Sequence, residues 1–257
     1  MARKNLGDVL HYFIPEDEQS AALERGAPPD LARHPPSEAE RSSRGPAPRV
    51  CVPAGPDRLL WCALALELAG ALAAERGGAR VEMSFAASPL LPSVPGVRLR
   101  ALERAPAALA GALAEVPGDE AVLVLERPEQ LAQFLAQPER ALLDCVLLPV
   151  DASASGVARA LRVLREIAPA LAGMPVFAWV VGARSSREAS ELGERLCAAA
   201  RRQHSVEVEV APALPSDPAL FRALLRGESV HAADDGTSAG ARELRALSRR
   251  LGERRAA

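Results

Sequence analysis

The sequence predicts an α/β fold: a mainly parallel sheet with helices on both faces, preceded by a short N-terminal helix and a disordered linker. Three observations predict it. Of the 257 residues 49% are hydrophobic, enough to bury the core of one large domain. From Val50 onward, short apolar runs alternate with longer helical stretches. The short runs are apolar almost throughout, as strands covered on both faces must be.

The first unit is residues 1–23. Leu6, Val9, Leu10 and Phe13 fall at i, i+3, i+4 and i+7, one apolar face of a short helix. Asn5 is placed to cap it, Asp8 falls at its third helical position, and Pro15 ends it before Glu16, Asp17 and Glu18. A helix this short does not hold in water by itself, so it must dock on its own body or on a partner. Tyr12 and Phe13, two of few aromatics in the chain, favour a recognition anchor, giving Leu6, Val9, Leu10, Tyr12 and Phe13 as candidate partner-binding residues. Residues 24–48 carry Pro28, Pro29, Pro35, Pro36, Pro46 and Pro48 among Arg, Ser and Glu. They offer little apolar surface to offset the entropy of ordering, and read as a flexible linker.

The third unit is residues 49–257. Val50–Val52, Val81–Met83, Val97–Leu102, Ala121–Leu125, Cys145–Val150, Val176–Val181 and Val206–Val210 read as strands. Leu59–Glu75, Ala107–Glu115, Val157–Leu171 and Arg187–Arg202 read as helices between them. A C-terminal helix near Ala241–Arg254 sets Leu244, Leu247 and Leu251 opposite Arg245, Arg249, Arg250, Arg254 and Arg255. Its apolar stripe is narrow, so packing on the sheet is expected ahead of weak peripheral membrane contact.

Composition removes several classes of function. The net charge is −2 and the pI near 6.2, so nucleic acid is not an expected partner. Lys4 is the single lysine among 31 basic residues, which excludes lysine chemistry from the folded body. Cys51, Cys62, Cys145 and Cys197 lie far apart with no CxxC pair, and read as buried reduced thiols of a cytoplasmic protein. No apolar run reaches the roughly eighteen residues of a transmembrane span. His11, His34, His204 and His231 are scattered, and no catalytic or metal-ligating constellation is expected.

In a parallel sheet the chemistry sits beyond the carboxyl ends of the strands. The first such loop is Pro53–Ala–Gly–Pro–Asp–Arg58. A phosphate cradle needs convergent backbone N–H groups, a lysine and a magnesium-binding hydroxyl. Gly55 alone suits that role, Pro53 and Pro56 have no N–H, and Asp57 repels phosphate.

Val50 to Ala73, VCVPAGPDRLLWCALALELAGALA, nonetheless resembles without a gap the first strand, deviant Walker A loop and first helix of the ParA/MinD ATPases, including their FlhG- and BcsQ-like branches. The family pattern is roughly SGKGGVGKTT, then a helix ending NLAAALA. In that register Ala54 and Gly55 meet the first two motif residues. The signature lysine falls on Pro56, the phosphate-binding lysine on Trp61 and the magnesium-binding threonine on Cys62; the loop glycines become Asp57, Arg58 and Leu60. The strand at Val81 ends Ser84–Phe–Ala–Ala–Ser–Pro89 where the family has Asp-Ala-Asp-Pro. Glu120–Leu125 resembles the Walker B strand, with Leu125 at the aspartate and Glu126 one residue out of phase, expected on the other face. Leu142–Val150 with Ser153 is similar to the family's strand and "P…S" turn. Val176–Arg184 is similar to the strand ending in an adenine-contacting Asn, with Gly182 in its place. Pro215–Ser–Asp–Pro218 through Val230 is similar to the "P-x-D…A…G-x-P-V" segment.

The resemblance spans roughly residues 49–254 and fails at the nucleotide-contacting positions. It implies a P-loop NTPase-like scaffold without cofactor, metal or enzymatic activity, a degenerate loop at Gly55, Pro56, Asp57, Arg58, Trp61 and Cys62, and a role in binding or positioning a protein of a cytoplasmic or envelope-associated machine. It also implies pairing with itself or with an active ATPase of the family. The alternative is an ATP-dependent switch that binds nucleotide through non-standard loops.

Overall fold

The computed structural model describes residues 48–54, 58–76, 78–85, 91–101, 111, 120–153, 155–230 and 238–256. The predicted N-terminal helix with Leu6, Val9, Leu10, Tyr12 and Phe13, nearly all of the linker, the loop residues Gly55, Pro56 and Asp57, and most of the helix expected over 107–115 lie outside them.

In chain order the elements are β1 (Arg49–Pro53), α1 (Arg58–Arg76), β2 (Ala79–Met83), β3 (Val97–Ala101), β4 (Glu120–Leu125), α2 (Pro128–Leu135), a 3-10 turn (Pro138–Leu142), β5 (Cys145–Asp151), α3 (Gly156–Leu171), β6 (Val176–Ala183), α4 (Ser186–His204), β7 (Val208–Val210), β8 (Leu214–Pro215), α5 (Pro218–Leu225) and α6 (Ala239–Ala256). The strands form one sheet in the order β3-β2-β4-β1-β5-β6-β7, with β8 also on β6, and every pairing is parallel. β1 is therefore central, between β4 and β5.

Alternation along each strand divides the core in two. Val50 and Val52, with Val81, Met83, Val122, Val124 and Trp179, face α1, α5 and α6. Cys51, Leu123, Leu125, Val146, Leu148, Val150 and Val180 face α2, α3 and α4. Both sets are fully or almost fully buried. The apolar runs of the sequence thus fill both faces of a doubly wound sheet.

Local chemistry starts and stops the helices. The Ser185 hydroxyl accepts from the Glu188 N–H at 3.1 Å to begin α4, and Ser205 closes it with a left-handed φ of 54°. Asp217 caps two helices with one buried carboxylate. It accepts from Ala219 N–H at 2.9 Å at the start of α5 and from Gly240 N–H at 2.6 Å at the start of α6. In α6, Leu244, Leu247 and Leu251 are buried while Arg249 and Arg250 are exposed. That places the apolar stripe on the body, as expected. Among the described residues no helix is long and apolar enough to cross one.

The sequence reading missed α2, the 3-10 turn, β8 and α5. The two helices are only eight residues each, too short for a clear period, and Pro128 and Pro218 mark their first turns rather than breaks. The strand expected over Val206–Val210 is confined to Val208–Val210.

Candidate functional site

The carboxyl ends of β1, β2, β4 and β5 meet where α1 begins. Ala54, just beyond β1, is buried and donates its N–H to Leu125 carbonyl at 2.8 Å, closing the edge between β1 and β4. Arg58 then opens α1. Its guanidinium pairs with Glu126 and lies 5.7 Å from the centre of the Phe85 ring. Glu126, expected on the face opposite Leu125, pairs with Arg58 of α1, the helix that covers the Val122 and Val124 side of β4, while Leu125 faces the other layer.

The same corner is tied by Ser84. Its hydroxyl accepts from Glu126 N–H at 2.9 Å and donates to Gln130 Oε1 at 3.0 Å. Gln130 Oε1 also accepts from Arg127 N–H at 3.1 Å, bracing the first turn of α2. Ser84 thus stands at the end of β2 and links it to β4 and α2.

One turn into α1 the sequence-predicted loop residues point inward. Leu60 and Trp61 are 3% and 4% exposed and Cys62 is fully buried. Trp61 packs against Trp179 of β6, with ring centroids 6.0 Å apart and planes tilted by 55°. The Cys62 thiol contacts Met83 sulfur at 2.9 Å, and burial pushes its pKa up to about 12. Such a thiol is a poor nucleophile at neutral pH. Trp61 and Cys62 are brought together on the core side, whereas Arg58 stands on the rim.

β5 ends at Asp151, whose carboxylate accepts from Ser153 N–H at 3.0 Å and is held by the Ser153 hydroxyl and the Arg159 guanidinium. Gly156 makes this possible, because a Cβ there would stand 1.9 Å from Asp151 carbonyl oxygen. At the end of β6, Gly182 has a φ of 80°, and the pairing of β6 with β8 shifts register between Val181 and Ala183. A side chain at 182 would be strained, which explains the glycine there in backbone terms. Among the described residues no three His, Cys, Asp or Glu gather as a metal site would require.

The sequence reading passed over Glu67. It lies fully buried in the middle of α1, and both its oxygens accept from Val230 N–H at 3.2 Å while Ser229 hydroxyl donates at 3.1 Å. Burial pushes its pKa up to about 7, against the lowering effect of those hydrogen bonds. The signal was present: one carboxylate inside the apolar run Leu64–Ala–Leu–Glu–Leu–Ala69. Cys51 and Cys145 are buried as expected, but Cys197 is only partly so.

At the opposite edge of the sheet lies a cavity of about 460 Å³, between the amino ends of β5 and β6, the 3-10 turn and the end of α6. Leu143, Cys145, Phe177 and Leu251 are among its walls.

No family model matches the chain, and no curated protein matches it. Solved structures do. The MinC:MinD cell division protein complex of Aquifex aeolicus aligns with a TM-score of 0.57 at 16% identity, over 80% of this chain and 95% of that one. The MinD cell division protein of Aquifex aeolicus aligns with a TM-score of 0.55 at 16% identity, over 80% of this chain and 97% of that one. At this identity the likeness is one of fold. The chain has a MinD-like, P-loop NTPase-type architecture.

Proposed function

We propose that this chain is a nucleotide-free scaffold of MinD-like form that binds and positions a protein partner. The observation that carries the reading is Trp61, buried against Trp179 where the sequence resemblance puts the phosphate-binding lysine. Phosphoryl transfer depends on charge neutralisation and positioning. Here the position of the lysine is apolar core, that of the magnesium-binding hydroxyl is the neutral thiol of Cys62, and Leu125 is buried at the Walker B position. The cation nearest the loop, Arg58, is engaged by Glu126.

With that edge closed to nucleotide, function moves to protein contacts. Similarity to a MinC:MinD complex supports partnering as a use of the fold, either between copies or with an ATPase of similar shape. Residues 5–14, with Leu6, Val9, Leu10, Tyr12 and Phe13 on or beside one predicted face, are the docking element of this reading. The buried leucines of α6 argue against membrane attachment as the positioning device.

Titration calorimetry of the full chain with ATP and magnesium tests the scaffold reading. No saturable heat up to millimolar nucleotide is expected. Magnesium-dependent binding in the micromolar range would overturn it in favour of an ATP-dependent switch. Pull-down with the full chain and with its Leu10→Glu/Phe13→Glu variant tests the docking element, and an unchanged set of bound proteins removes it.

A further inference from the structure

The cavity at the amino edge of the sheet sits where the N-terminal region joins the body. Arg49 N–H donates to Asp144 Oδ2 at 2.7 Å, Asp144 N–H donates to Arg49 carbonyl at 2.9 Å, and Asp144 lines the cavity. Pro48, the residue before, accepts from Ala121 N–H at 3.1 Å. Arg49, one residue after the described chain begins, is thus bonded directly to a residue of the cavity's wall.

The cavity is amphipathic, with apolar side chains at its base and Arg140 and Asp144 in its lining. Leu143, Cys145, Phe177 and Leu251 are each 4% exposed or less and give it an apolar floor, and Met174 and Arg140 stand partly or fully exposed beside them. About 460 Å³ holds the side chains along one helix face, not a helix. We propose that residues 5–14 of this same chain seat there, with Leu6, Val9, Leu10 and Phe13 toward the apolar floor and Glu16, Asp17 and Glu18 toward Arg140.

Three considerations select this occupant over an outside protein. Its apolar face cannot persist as an isolated short helix. Its attachment point is next to Arg49, which bonds the cavity-lining Asp144, and a tether of about 33 residues spans roughly 30 Å on average, ample for return. A tether of that length gives a local concentration on the order of millimolar, so a weak contact suffices to keep the segment seated. The seat would cover the docking face until a partner competes for it. The inference rests on the docking-element reading and is independent of the nucleotide question.

Hydrogen exchange on the full chain tests it, followed over residues 140–145 and 171–177. The Leu10→Glu/Phe13→Glu variant should exchange about tenfold faster there than the parent, as expected for a lost local contact, with an unchanged unfolding midpoint. Met174→Glu in the otherwise unaltered chain should do the same. A synthetic peptide of residues 1–20 should restore protection to the Leu10→Glu/Phe13→Glu variant saturably, and fail once Met174→Glu is added. Equal exchange in parent and variant overturns the inference, as does protection that disappears on dilution, which would assign the seat to a second copy. If pull-down partners depend on Leu10 and Phe13 while exchange does not, the docking element stands and the seat falls; if neither depends on them, both fall.

Discussion

Trp61 on α1 and Trp179 on β6 touch across the sheet face, 6.0 Å between ring centres. The contact ties the first helix to a strand two places from β1, and both rings are at most 4% exposed. Truncating Trp61 to Ala removes a large buried aromatic from a core with no room to collapse, and should cost roughly 3–5 kcal/mol in urea unfolding. Trp61→Lys should cost at least as much and should not create nucleotide binding, because the site around it is apolar. Nucleotide binding gained by Trp61→Lys would mean that the loop keeps a phosphate cradle.

Glu67 makes stability depend on pH in an unusual direction. Its folded pKa of about 7 lies above the unfolded value of 4.5, so the folded chain holds its proton more tightly. The contribution is fully present below pH 4.5, declines as pH rises and is lost above 7, an effect on the order of 3 kcal/mol at about 1.4 kcal/mol per unit. Glu67→Gln keeps acceptor and donor for Val230 and Ser229 without the ionisation. Its unfolding free energy, measured from pH 5 to 8, should lack this component of the fall. Identical pH profiles for the two proteins would exclude Glu67 as its source.

Both results bear on what the sequence discloses. Apolar runs give strands and faces directly, because burial on both sides leaves charged residues of β1 and β4 only at their first positions, Arg49 and Glu120. Partners of charged groups are less legible. Alternation along β4 gives the face of Glu126, but its partner Arg58 lies 68 positions away. Glu67 is visible as an anomaly, but its partners Ser229 and Val230 lie more than 160 positions later. Asp217 caps both α5 and α6, and neither role was read from the sequence, since the second depends on how the two helices approach each other.

Gly156 holds the first turn of α3 against the end of β5. Gly156→Ala must displace Asp151 carbonyl or the helix, and overpacking of this kind costs about 1–3 kcal/mol. Thermal unfolding should show it. A neutral substitution would mean that the Ser153–Arg159 clamp on Asp151 tolerates a shifted helix.

The thiols should separate by reactivity. Burial raises the pKa of Cys51 and Cys62, with the neighbouring Cys145 adding to the effect on Cys51, and both are closed to solvent. Cys197 is partly exposed; burial raises its pKa and Arg201 opposes the rise. Under native conditions a disulfide reagent should label Cys197 alone, slowly, and the other three only after denaturation. Fast labelling of Cys62 would show that the start of α1 opens.

The pairing of α1 with α6 sets a schedule for biosynthesis. α1 is made well before Leu244, Leu247 and Leu251, which share its core but lie far downstream in the chain. At about 5–20 residues per second, the stretch from Arg76 to Ala239 takes on the order of 10–30 s to translate. During that interval the part of α1 that packs on α6 has no cover, although its sheet-facing side can already pack on β2 and β4. A chain cut before α6 should therefore expose part of its core and aggregate more readily than the full sequence.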